Sequence, residues 1–135
     1  NMPAAFKDLE SNNVKMVGFA ETLDGVYHDH RVFVAPLLSG AGIKGKVLES
    51  MAYNLPTVLS NVAAEGTGLT HGISTLIAEE PQEWVDAIIK LYDDKKLWAK
   101  FAENSQTLVE AKYSFEHGHK VFKNIFASVG VYSTK

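Results

Sequence analysis

Apolar residues in this chain cluster first in short runs and later in helical stripes. The densest run lies between Arg31 and Asn61. Val32 to Pro36 is apolar and β-branched, and of strand length. A loop of small residues follows, Ser39-Gly40-Ala41-Gly42, and then a segment of helical rhythm from Ile43 to Tyr53. Asn54 suits a left-handed cap, with Pro56 just beyond. Thr57 to Ser60 predicts a second short strand. A strand, glycine loop, helix and strand in this order set helix N-termini at the C-terminal edge of a parallel sheet, where anionic ligands collect.

The predicted helix has two faces. Val47, Leu48, Met51, Ala52 and Leu55 form the stripe expected to be buried. Gly42, Lys46, Glu49 and Tyr53 share another face, at spacings of three and four. Glycines at the start let a ligand approach the backbone, and Lys44 and Lys46 add positive charge near the positive end of the dipole. Glu49 lies more than a turn further in, suited to accept hydrogen bonds from neutral hydroxyls beyond a phosphate.

Elsewhere the pattern predicts a short helix over 3–10 and a strand from Val14 to Phe19. A short polar helix is expected over Leu23 to His30. Asn61 to Thr75, rich in Gly, Ala and Thr, reads as a loop with at most one helical turn. Ser74 to Ala78 is a last strand. Glu79-Glu80-Pro81 opens a helix with acids and proline at its positive end. Trp84, Val85, Ile88 and Ile89 are its buried stripe, extended by Leu91 and Tyr92. Asp94 caps a helix with Leu97, Trp98, Phe101 and Leu108. Ser114 caps another, where Val121, Phe122, Ile125 and Phe126 recur, and Gly130 ends it. Three or four strands alternating with helices predict an α/β fold with a parallel, Rossmann-like sheet and flanking helices.

Composition narrows the field. The 135 residues suit a single domain over 1–135, and 46% hydrophobic with 21% charged residues is ordinary for a globular chain. A net charge of −3 disfavours wholesale binding to nucleic acid or an anionic membrane. Without cysteine there is neither disulfide nor thiol catalysis. No apolar run approaches the ~20 residues of a membrane span, and no signal-peptide pattern is visible, so cytoplasm is the default expectation.

The central run resembles the donor-binding domain of GT-B glycosyltransferases of the group-1 type. The resemblance rests on Pro36, Gly40, Gly42, Lys46-Val47-Leu48-Glu49-Ser50-Met51-Ala52, Asn54-Leu55-Pro56-Thr57-Val58 and Glu65-Gly66. It extends over nearly the whole chain and implies sugar transfer from a nucleotide diphosphate sugar to a hydroxyl acceptor. It also implies that Glu49 binds the donor ribose, with Lys46, Gly42, Gly40 and Lys44 toward the phosphates. Neither cofactor nor metal is implied if basic groups and a helix N-terminus carry the diphosphate charge. Many members carry a further glutamate eight positions before the one matching Glu49; here Ala41 stands there, as in a branch of the family. No catalytic residue is assigned. The resemblance covers the latter two-thirds of a donor domain. The first strands, the phosphate-binding basic residues and an N-terminal acceptor domain are expected outside this sequence.

Other readings stand beside these. A non-catalytic nucleotide-sugar binder or interaction module is the second function. A receiver-like domain is disfavoured, because no strand ends in Asp. The backbone of Phe19 or Ala20 either meets the base or simply turns. His71 either faces the donor or is a solvated loop residue, and Glu65 lies near a donor position. His28 and His30 lack a third metal ligand. The Val14–Phe19 strand is expected to pair directly with Val32–Pro36. The alternative is an exposed edge that recruits a second copy into a homodimer.

Overall fold

The computed structural model describes residues 8–131. Three short parallel strands form its sheet: β1 (Phe33–Ala35), β2 (Thr57–Leu59) and β3 (Thr75–Ile77), in the order β1-β2-β3. Phe33, Val34 and Ala35 face Thr57, Val58 and Leu59, which in turn face Thr75, Leu76 and Ile77. Six helices surround the sheet: α1 (Asp24–His28), α2 (Gly45–Ala52), α3 (Asn61–Ala64), α4 (Pro81–Asp93), α5 (Lys95–Tyr113) and α6 (Phe115–Ser128).

Strand β2 is central and wholly buried, so its alternating side chains must satisfy both faces. Leu59 enters one core with Ala35, Val47, Met51, Ala63 and Leu69. Val58 enters the other with Leu76, Ala78, Leu91 and Phe101. Helix α5 serves both: Leu97 and Trp98 pack on the second core, Leu108 and Val109 on the first. The buried hydroxyls of Thr57 and Thr75 lie 2.8 Å apart and satisfy each other.

Caps set most helix starts. The Ser60 hydroxyl accepts from the Ala63 amide, Asp94 from Lys96 and Leu97, and Ser114 from His117. Glu83 folds back to accept the backbone amides of Glu79 and Glu80 at 2.9 and 3.1 Å. These amides hold its carboxyl below the usual glutamate range. Asn54 does adopt the left-handed conformation, with φ 57°.

The expected strand from Val14 to Phe19 is not one. Ser11 and Val14 close a tight turn, the chain beyond is irregular, and Phe19 is 90% exposed. Its pairing with β1 is accordingly absent. A parallel return needs roughly a dozen residues, and α1, anchored on α2, takes up the chain between them. Of the helix expected over 3–10, residues 3–7 lie outside the described residues; Asp8 and Leu9 form one 3₁₀ turn.

Burial also departs from expectation. In α2, Ser50 is buried and Ala52 exposed. The Ser50 hydroxyl donates to the Val47 carbonyl at 2.8 Å, which lets it take a core position. In α4, Val85, Ile89 and Tyr92 are exposed, because the buried phase runs through Trp84, Ile88 and Leu91. Helix α6 buries none of its residues: Val121, Phe122, Ile125 and Phe126 share an exposed face, with Phe122 and Phe126 stacked at 6.4 Å. Among the described residues no helix is long and apolar enough to cross a membrane.

Candidate functional site

Parallel topology gathers the glycine loop and the starts of α2, α3 and α4 at the C-terminal edge of the sheet. Ser60 organises this edge. Its amide donates to the Ala35 carbonyl, and its hydroxyl donates to the Leu37 carbonyl at 2.7 Å, fixing where the loop leaves β1. Glu79 accepts the Asn61 amide, so the start of α3 is already occupied. The start of α2 is different. Lys44 sits at the N-cap without a side-chain capping bond, and the first turn holds no acid. The Val47 amide bonds the Lys44 carbonyl, and the amides of Gly45 and Lys46, without partners among the described residues, remain available to an anion.

Gly40 and Gly42 carry φ of 142° and 72°, backbone that ordinary side chains rarely adopt. Lys44 turns back over this loop: its ammonium donates to the carbonyls of Gly42 at 2.5 Å and Gly40 at 3.4 Å, and lies 4.0 Å from Glu65. The adjoining Gly66 is closely backed, since a Cβ there would stand 3.1 Å from Ile43. Lys46 is exposed one position into α2, and among the described residues no carboxylate pairs with it.

Glu49 is exposed, off the Val47–Met51 stripe, and pairs with no lysine or arginine among the described residues. One of its oxygens accepts from the Tyr27 hydroxyl at 2.9 Å. Tyr27 is 4% exposed. Its ring stacks on Tyr53 at 5.0 Å and tilts against Phe33 at 6.2 Å. Burial, aided by Glu49, pushes the Tyr27 hydroxyl up to about 12. The Tyr53 hydroxyl donates to Asp24, a bond that raises its own pKa. Two side-chain bonds thus tie α1 to the outer face of α2.

Gly42, Lys46, Glu49 and Tyr53 do occupy neighbouring turns, but Tyr53 is spent on α1. Ala41 is an exposed loop residue. His71 is structural in this arrangement, its Nδ1 accepting the Ile77 amide at 2.9 Å beside the outer edge of β3. His28 packs edge-on to Tyr53. Tyr27 was not singled out by the sequence. A lone aromatic in a polar five-residue helix carries no periodic signal, although tyrosine is the residue expected where a buried ring must present a polar end.

The family described as Glycosyl transferases group 1 matches residues 1–94. An uncharacterized 44.6 kDa protein of the cps region of Klebsiella pneumoniae is 30% identical over 106 residues, covering 78% of this chain and 26% of that protein. The putative glycosyltransferase YtcC of Bacillus subtilis (strain 168) is 27% identical over 84 residues, 60% of this chain and 21% of its own length. The chain thus spans about a quarter of these curated relatives. Among solved structures, the C-terminal domain of the group 1 glycosyl transferase LpcC from Francisella tularensis superposes with a TM-score of 0.64. Sequence identity there is 23%, with coverage of 73% of this chain and 53% of that one. That likeness shows the α/β fold. The family match runs from the start of the chain through the glycine loop, Glu49 and all three strands to the end of α4, and by it this chain belongs to the group 1 glycosyltransferases.

Proposed function

We propose that this chain, over 1–135, is the donor-side domain of an enzyme that transfers a sugar from a nucleotide diphosphate sugar to a hydroxyl acceptor. The diphosphate lies against Gly40, Gly42 and the uncapped start of α2, with Lys46 adding charge. Lys44 holds the loop in shape and lends a nearby positive charge. Glu49 takes the ribose hydroxyls. The observation that carries this reading is an exposed Glu49 carboxylate one turn beyond an open helix N-terminus, with no cation competing for it among the described residues. The acceptor side and further phosphate ligands come from protein outside this chain. By itself the chain then binds donor without transferring sugar, since positioning both substrates needs both walls of the cleft.

Calorimetric titration with UDP, GDP and their sugars tests this. At least one is expected to bind more tightly than about 1 mM, and Glu49→Gln to weaken it roughly tenfold. No binding by any of them, or sugar transfer by the chain alone above background hydrolysis, would overturn the reading. Ala41, in place of the glutamate that many relatives carry, favours a second reading: a domain that binds nucleotide sugars without catalysis. Donor binding with no transfer even by the longer protein containing this chain would select it.

A further inference from the structure

The contact between α1 and Glu49 is not needed to explain the fold of α2, whose Val47, Ser50 and Met51 bury its other face. Helix α1 spans only five residues and has no side-chain cap, so it is held mainly by what Tyr27 touches. Tyr27 touches the proposed ligand face. Its hydroxyl lies 2.9 Å from one Glu49 oxygen and 3.4 Å from the Lys46 carbonyl. Its ring is fixed between Tyr53 and Phe33, and the Tyr53–Asp24 bond closes the frame.

An exposed glutamate has three rotatable bonds and samples many orientations. Holding one oxygen from the hydroxyl of a buried ring restricts those orientations and leaves the second oxygen free to accept from a ligand. Preorganisation of this kind strengthens binding without adding a ligand contact. We propose that Tyr27 is a positioning residue for Glu49, orienting its free carboxylate oxygen toward the ribose hydroxyls of a nucleoside diphosphate. The proposal rests on the donor reading of Glu49 given above.

The test compares the unmodified chain with Tyr27→Phe, Glu49→Gln and the double variant. Each is titrated with UDP and GDP and with their 2′,3′-dideoxy counterparts. Tyr27→Phe keeps the ring and removes only the hydroxyl. It is expected to weaken binding of the hydroxylated nucleotides roughly three- to tenfold, leave the dideoxy compounds unchanged, and add nothing to Glu49→Gln in the double variant. Equal weakening for both classes would reduce Tyr27 to a structural role and overturn the proposal. Unchanged affinity in Tyr27→Phe, alongside a selective loss in Glu49→Gln, would overturn it while the donor reading stands. No loss in Glu49→Gln would remove the donor reading and the proposal with it. Should Tyr27→Phe not fold, carbon-13 at the Tyr27 ring Cζ of the unmodified chain gives an independent measurement. Its resonance is expected to shift with UDP or GDP and not with the dideoxy forms; an equal response to both would again overturn the proposal.

Discussion

Asn54 holds φ at 57°, which an L-residue adopts at a cost, and its side-chain oxygen is buried with no hydrogen-bond partner among the described residues. Both penalties vanish in Asn54→Gly. Glycine gives back part of the gain through the freedom of its unfolded chain. A net stabilisation of about 0.5–1 kcal/mol is expected in urea unfolding; a loss would mean the side chain stabilises the turn in another way. Tyr27 makes the alkaline limb of stability legible. Burial, then its bond to Glu49, lifts its pKa from 10.0 to about 12. The folded state therefore holds this proton more tightly than the unfolded chain does. The stabilisation is whole below pH 10 and fades as pH rises through about 12. Tyrosinate absorbance should show hydroxyls titrating late, Tyr53 among them through its bond to Asp24, and Tyr27→Phe should delete the phase near 12.

Among the elements, α3 is the shortest helix of the sheet's C-terminal edge, and Ser60 serves it twice, capping its start and holding Leu37. Ser60→Ala is expected to cost about 1–3 kcal/mol, the sum of a lost cap and a buried hydrogen bond, and to loosen the glycine loop, seen as faster amide exchange over 37–42. Elements whose signals are local were readable from sequence: the caps Asp94 and Ser114, proline at the start of α4, and Asn54 ending α2. The glycine loop followed from its run of small residues, and the exposure of Glu49 from helical phase. What depended on distant partners was not readable. Val14–Phe19 has the composition of a strand, yet pairing needs a neighbour at the right length of connection. Val121, Phe122, Ile125 and Phe126 repeat at helical spacing and do form a helix, but periodicity fixes a shared face and not what lies against it. Tyr27 belongs to the same class, because its role exists only once α1 meets α2.

For the whole molecule, the order β1-β2-β3 leaves β1 with one side open among the described residues. The Phe33 amide and the Ala35 carbonyl turn toward β2, so the backbone polar groups of Val34 point outward. Sheet edges of this kind invite a second copy. Weak, concentration-dependent dimerisation of the chain is expected in sedimentation, and Val34→Lys should abolish it; a monomer at every concentration would exclude edge pairing. The start of β1 is anchored at long range. Trp98 donates its indole N–H to the Arg31 carbonyl at 2.7 Å, across 67 positions of sequence. The Arg31 guanidinium donates to the Tyr92 carbonyl and lies over the Tyr92 and Trp98 rings. A ribosome builds the chain from its amino end. Until Trp98 has emerged from the exit tunnel, the first strand has its pairing with β2 but not this long-range anchor at its start, and the glycine loop rests on a less rigid base. A nascent chain halted before α5 should therefore be more sensitive to protease at the loop than one halted after it, so that the edge proposed to hold the diphosphate takes its final shape late in synthesis.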